Sequence, residues 1–382
     1  MQHLTVKAPG RINLIGEHTD YNEGFVMPAA IQKAATVYIE KREDSTIHLF
    51  AEDLKESYTL NLDTVTKSSK DWANYIIGVI AQFQKVVTIP KGFTLRLKSD
   101  VPIGAGLSSS AAIECAVAFA INELFSLGLD RMQLTKMAQK AEHEYAGVLC
   151  GIMDQFASMF GKKDQVILLD CKTMHYQYYP LKLSNYDIVL LDTQIKHALA
   201  SSEYNTRRAE CEQGISLIQQ RYPSTKSLRE VSMDMLNECV DSSQMTKVYN
   251  RCKYVIAEIE RTQAAAKDLQ ERLLPKTLPV IKNLDIAGYL RTSTEVGGDY
   301  YDFFEQSDGS LYAICGDATG HGTPSGMLVS ITKAGIIGLP QLSPNDMLHE
   351  LNRVVKKVDL GILRMSLNIA HLKNNELTLS SA

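Results

Sequence analysis

Apolar and polar positions alternate over Phe93–Lys98, with Phe93, Leu95 and Leu97 apolar and Thr94, Arg96 and Lys98 polar. That period of two predicts a half-buried strand. Pro102, Gly104 and Gly106 then break regular structure, and Ala111 to Leu127 is apolar except for Glu114, Asn122, Glu123 and Ser126. The unit reads as strand, tight loop, helix. Asp71 opens an amphipathic helix that runs towards Gln84. Asp130 caps another, with Leu134, Met137, Ala138, Ala141 and Tyr145 on its apolar face and Gly147 at its end. A further helix starts near Gly151. Short strands are expected at Leu4–Val6, Val37–Glu40, Thr46–Phe50, Val166–Asp170 and Tyr186–Thr193; in the last, the continuous apolar run Ile188–Leu191 points to a buried strand. Ser201–Glu210 enters a helix, and Val248, Cys252, Val255, Ile259, Ala266, Leu269 and Leu273 keep helical spacing over a long one. Ser366–Leu372 and Glu376–Ser380 read as a hairpin.

Composition narrows the class. The chain has 382 residues, enough for two or three domains of roughly 150 residues each. It is 45% hydrophobic and 22% charged, as in soluble globular proteins. A formal net charge of -4 gives no reason to expect nucleic acid or an anionic membrane as partner. The first residues hold no apolar signal core, and no apolar stretch is long enough to span a bilayer. Seven cysteines, scattered and never spaced as Cys-x-x-Cys, argue for reduced thiols in a cytoplasm and against a zinc site.

Two loops carry candidate chemistry. Gly104, Ala105, Gly106, Leu107, Ser108, Ser109 and Ser110 feed a helix N-terminus, where converging N–H groups and the helix dipole suit a phosphate. The loop lacks the Gly-Lys-Ser/Thr ending of a P-loop, so backbone donors carry the binding; an ordinary N-cap is the alternative. Ala8–Asn22 is punctuated by Pro9, Gly10 and Gly16, yet carries Arg11, Glu17, His18 and Asp20. It reads as an irregular ligand-binding loop, with a structural loop or a metal site as alternatives. Asp154 falls in the first turn of its helix, where a carboxylate is commonly a capping device.

Arg11–Asn22 resembles the galactokinase signature of the GHMP small-molecule kinase superfamily, and Val101–Ala112 resembles that superfamily's ATP loop. Ala141–Gln155, Ser201–Glu210 and Arg251–Gln263 are similar to galactokinases as well. The resemblance implies a mixed α/β (α+β) fold with a GHMP-kinase-like two-domain N-terminal part. Residues 1–183 would form its ATP- and sugar-binding domain and residues 184–268 part of a second domain. It implies transfer of a phosphoryl group from ATP to galactose, with Asp154 as catalytic base and Arg11 stabilising charge near the phosphoryl. Glu17, His18, Asp20 and Tyr204 would hold the sugar, while Ser110 and Glu142 would ligate Mg2+. Oxygen ligands, few of them from protein, suit that hard ion.

A third glycine-rich motif, expected of a galactokinase after the long helix, is not found. From about Leu269 the chain resembles the metal-dependent (PPM-type) serine phosphatases that regulate bacterial sigma factors. The matching runs are Gln270–Pro275, Ala287–Leu290, Glu295–Phe303 and Gly316–Gly322. In that reading Asp299 and Asp317 hold Mn2+ or Mg2+ ions that activate water against a phosphoprotein partner. Residues 269–382 would be a partial α/β sandwich joined to the kinase-like part through the long helix. Each family is incomplete, which reads as two unrelated halves joined where both supply helix formers.

Overall fold

The computed structural model describes residues 3–181, 188–191, 197–271, 278–281, 284–287, 299–319, 323–339, 342–358, 364–374 and 376–382. The chain divides into two compact units: Met1–Thr173 with Tyr178–Glu260, and Met174–Gln177 with Arg261–Ala382. In chain order, β1 (His3–Asn13), β2 (Phe25–Val26), β3 (Pro28–Lys41), β4 (Thr46–Ala51) and β5 (Glu56–Asn61) precede α1 (Asp71–Val86) and β6 (Phe93–Ser99). Then come α2 (Ser109–Phe125), α3 (Arg131–Ala141), α4 (Met153–Phe160), β7 (Gln165–Asp170), β8 (Tyr176–Pro180), α5 (His197–Gln219), α6 (Met233–Cys239) and α7 (Thr246–Glu271).

The first unit is built on a five-stranded sheet of order β1-β3-β6-β4-β5, antiparallel except for the parallel β4–β6 pair. Its inward residues, among them Val37, Ile39, Ile47, Leu49, Phe93 and Leu95, meet Ile76, Ile77, Ile80 and Phe83 of α1 and nearly all of α2 in one core. Each such fully buried side chain contributes roughly 1.5–3 kcal/mol of transfer free energy. Because α2 is apolar around most of its circumference, it lies inside this core, with strands on one side and α1, α3 and α4 on others. Asp130 does cap α3: it accepts from Gln133 N at 2.8 Å, and Gln133 returns the bond in a capping box.

β1 corrects the expectation of a short strand followed by an irregular loop. The strand continues through Pro9 and Gly10 to Asn13, slipping register between Pro9 and Arg11 as a bulge. It tolerates Pro9 because it is an edge strand. Gly10 allows the close approach there, since a Cβ at that position would lie 2.6 Å from the Leu107 carbonyl oxygen. The bulge turns Arg11 towards the glycine loop.

Ile188–Leu191 is also not what its pattern suggested. The four residues form no strand and lie exposed, Val189 at 76% and Leu191 at 84%. An apolar run is buried only where partner strands cover it, and sequence alone does not report that. The flanking Tyr186, Asp187, Asp192 and Thr193 lie outside the described residues.

In the second unit, β9 (Asp299–Glu305), β10 (Leu311–Ala318), β11 (Met365–Lys373) and β12 (Glu376–Ser381) form an antiparallel sheet of order β12-β11-β10-β9. The expected hairpin is the β11–β12 pair. Helices α8 (Thr323–Ile337) and α9 (Pro344–Val358) supply Val329, Ile336, Met347, Leu348 and Leu351 to a core with Tyr300, Tyr312, Ile314, Leu367 and Ile369.

Candidate functional site

The glycine loop between β6 and α2 is shaped by three left-handed residues, Gly104 (φ 93°), Gly106 (φ 70°) and Ser108 (φ 57°). Only glycine adopts that region freely. Leu107 is buried and pins the loop to the core, and its carbonyl accepts the Arg11 backbone N–H at 3.1 Å. Ser108 occupies the N-cap position of α2, yet its side chain makes no capping bond. Its hydroxyl instead donates to Asp154 Oδ2 at 2.7 Å. The positive end of a 17-residue helix is therefore left without a side-chain cap, which is the electrostatic preparation an anion requires.

Arg11 and Asp154 meet at the mouth of this loop. The Arg11 Nε and Nη2 atoms both lie 2.7 Å from Asp154 Oδ1, and Nη1 donates to the Gly106 carbonyl at 2.6 Å. One guanidinium thus ties the glycine loop to the first turn of α4. Both partners keep some exposure, their side chains being 13% and 23% accessible. The pair lines a surface that a substrate can reach.

The polar segment after β1 wraps onto the same helix end. Gly16 (φ 100°) and His18 (φ 65°) make a tight turn, and the Thr19 hydroxyl bonds inward to the loop backbone. Asp20 is buried beside Gly151, where a Cβ would overlap its carboxylate. It accepts backbone N–H bonds from Tyr21 and Met153; burial, then the nearby charge of Asp154, pushes its carboxyl up to about 7. Glu17 is more open and accepts from Asn13 Nδ2 at 2.9 Å. The His18 ring sits between Tyr21 Oη, 3.0 Å from Nδ1, and Arg207 Nη1, 3.3 Å from Nε2. Because a guanidinium only donates, Nε2 must accept and Nδ1 carries the proton. Burial, helped by Arg207 and Arg251, holds this imidazole down to about 4, so it is neutral at physiological pH. The Tyr204 ring packs 5.5 Å from both His18 and Tyr21, and its hydroxyl lies 3.4 Å from Gly151 N. Glu17, His18, Asp20 and Tyr204 are thus gathered close to one another and to Asp154.

Ser110 and Glu142 also come together. The Ser110 hydroxyl donates to Glu142 Oε1 at 2.7 Å. Glu142 opens a π-helical turn, Glu142–Ala146, that continues α3. Gln155 Nε2 braces its other oxygen at 2.6 Å and reaches Glu114 Oε2 at 3.2 Å. Burial raises the Glu142 carboxyl above its ordinary range, with the Asp154 charge adding to this. Two oxygen donors, one of them a carboxylate, are of the kind a hard divalent cation takes.

In the second unit, Asp299 and Asp317 are directly opposite each other in the β9–β10 register, and both are exposed. Residues 270–275 fall partly, and Gly288–Leu290, Glu295–Gly298 and Gly320–Gly322 wholly, outside the described residues. Among the described residues, no group of three or more His, Cys, Asp or Glu is arranged to hold a metal ion. Nor is any helix there long and apolar enough to cross a membrane. All seven cysteines are unpaired.

Comparison with known proteins gives this geometry a family. The model for the GHMP kinases N terminal domain matches residues 74–162, and that for the galactokinase galactose-binding signature matches residues 2–41. A galactokinase of Thermotoga maritima is 44% identical over 268 residues, covering 70% of this chain and 72% of that protein. The chain belongs to the galactokinase family. A galactokinase of Thermosipho africanus is 38% identical over 347 residues, 90% of this chain and 93% of that one, an alignment that extends past residue 268. Among solved structures, Lactococcus lactis galactokinase complexed with galactose matches with a TM-score of 0.65 and 37% identity over 71% of each chain. The mixed α/β, GHMP-kinase-like fold expected for the first part of the chain is the one observed.

Within this galactokinase fold, several site residues escape a reading of the sequence. Ser108 read as phosphate loop, yet it contacts Asp154. Tyr21, Arg207 and Gln155 complete the contacts around His18 and Glu142. The signal that could have found Arg207 is its place three residues after Tyr204, one turn along the same helix face.

Proposed function

We propose that this galactokinase-family chain transfers a phosphoryl group from ATP to the anomeric hydroxyl of galactose, giving galactose 1-phosphate and ADP. The observation that carries the reading is the Arg11–Asp154–Ser108 junction, which joins the uncapped glycine loop to the helix end whose Met153 N–H bonds Asp20. The phosphate tail lies against Gly104–Ser110, and Glu17, His18, Asp20 and Tyr204 hold the sugar. His18, neutral with its proton on Nδ1, offers directional bonds without a charge. Asp154 orients the anomeric hydroxyl and takes its proton late, since a loose phosphoryl-transfer transition state demands little early deprotonation. Arg11 spans the glycine loop and the reacting oxygen, where a planar, permanently charged fork offsets developing charge. Ser110 and Glu142 would hold magnesium, which neutralises charge on the phosphoryl oxygens. A cytoplasmic setting accords with seven unpaired cysteines. A coupled ADP-release assay tests the reading: turnover with ATP and galactose supports it, and none with either galactose or close sugars refutes it.

For the second unit we propose a metal-dependent phosphoserine phosphatase activity on a phosphoprotein, on the single ground that Asp299 and Asp317 face each other across β9 and β10. Manganese-dependent hydrolysis of a phosphoserine peptide, abolished by Asp317→Ala, tests it.

A further inference from the structure

The stretch Arg251–Gln263 carries no ligand-facing role in the reading above, yet it contacts the sugar loop. Glu258, on α7, is 6% exposed. Its Oε1 accepts the backbone N–H of Gly16 at 2.8 Å and that of Glu17 at 3.3 Å. These N–H groups belong to the tight turn that sets out Glu17, His18 and Asp20. One residue on, Ile259 packs where a Cβ at Gly24 would collide with it, closing the other end of the same loop. About two turns earlier, Arg251 pairs with Glu210 at 3.0 Å; Glu210 lies on α5, the helix that carries Tyr204 and Arg207. A single face of α7 therefore fastens both walls of the sugar pocket.

We propose that Glu258 is a positioning residue for the sugar: by gripping the Gly16–Glu17 peptide groups it sets the geometry of Glu17, His18 and Asp20 without touching the substrate. A hydrogen bond from a backbone N–H to a carboxylate is among the stronger kinds, and losing this acceptor leaves the buried Gly16 N–H and the partly buried Glu17 N–H without it. The turn also holds Gly16 and His18 at positive φ, so it needs such an external tie to stay in place. This inference rests on the sugar-kinase reading.

The test compares wild type with Glu258→Gln and Glu258→Met in the full chain. Glutamine keeps an accepting oxygen; methionine has nearly the same length and none. Steady-state kinetics are run with each substrate varied, and galactose and ATP·Mg2+ binding are followed by calorimetry. The methionine variant is expected to raise the galactose KM and Kd on the order of tenfold or more, about 1.4 kcal/mol. Its ATP KM should change less than about twofold, and the glutamine variant should recover most of the galactose affinity. Wild-type galactose affinity in the methionine variant would overturn the assignment, as would equal losses for both substrates. Failure of both variants to fold would make Glu258 a stability residue and overturn it too. If wild type itself binds no galactose, the sugar-kinase reading fails first and takes this inference with it.

Discussion

Asp20 makes a measurable prediction about pH. Its carboxyl titrates at about 7 in the folded protein against an ordinary 3.8, with burial as the main cause and Asp154 next. A folded-state value above the unfolded one means that the native chain keeps a proton the unfolded chain has released. The stabilisation this provides is complete below about 3.8 and disappears as pH rises through about 7. At 1.36 kcal/mol per pH unit the full span is worth about 4 kcal/mol, a large part of the 5–15 kcal/mol typical of a domain. The perturbation is Asp20→Asn, which cannot ionise and keeps one accepting oxygen for the Tyr21 and Met153 N–H groups. Its absolute stability is expected to drop by about 1 kcal/mol for the weaker bond. The informative quantity is the pH slope. Glu114 and Glu142 are also raised and add slopes of the same sign, but they do so in both proteins and cancel in the comparison. Urea unfolding at pH 5 and pH 8, followed through the fluorescence of Trp72, the chain's one tryptophan, reports the first unit. Wild type should lose about 2–3 kcal/mol more than the variant between these pH values, since the slope acts only from pH 5 to about 7. Parallel losses in the two proteins would refute the argument that Asp20 is held neutral by its surroundings.

Three further outcomes follow from the same geometry. Asp154→Asn should lower kcat by roughly 10²–10⁴, the usual worth of a positioned base, while calorimetric galactose binding changes only a few-fold; a kcat within twofold of wild type would remove Asp154 from the chemistry. Ser110→Ala and Glu142→Gln should each raise the magnesium concentration needed for half-maximal nucleotide binding, so unchanged magnesium titrations would place the ion elsewhere. Gly151→Ala inserts a methyl into the Asp20 carboxylate. It should raise the galactose KM at least tenfold with little change for ATP, and equal effects on both substrates would show general damage instead.

The regular elements that pack on both sides of a clear period could be read from the chain. α1 and β6 follow their apolar stripes, and α3 starts where its capping box says. β1 could not, because Pro9 and Gly10 are strong breakers whose cost vanishes at a sheet edge with a bulge, and edge position is a property of the whole sheet. Ile188–Leu191 failed for the converse reason: the pattern asks for partner strands that those four residues do not have. At the site, the two motif loops and Asp154 carried enough local character to be singled out, although 143 positions separate Arg11 from its carboxylate partner. Glu258 carried none. On a helix of mixed charge, a glutamate that grips a distant peptide group is spelled the same way as one that faces water.

The side chain of Ser108 turns away from the helix it begins, and that choice reaches beyond geometry. Many helices close their first turn with a side chain; under the proposed function an arriving phosphate would take that task here, so order at the start of α2 would be something a nucleotide brings with it. Amide protons of Ser109–Ala111 should exchange quickly in the empty protein and slow sharply once ATP or ADP is present, while the buried middle of α2 exchanges slowly in both states.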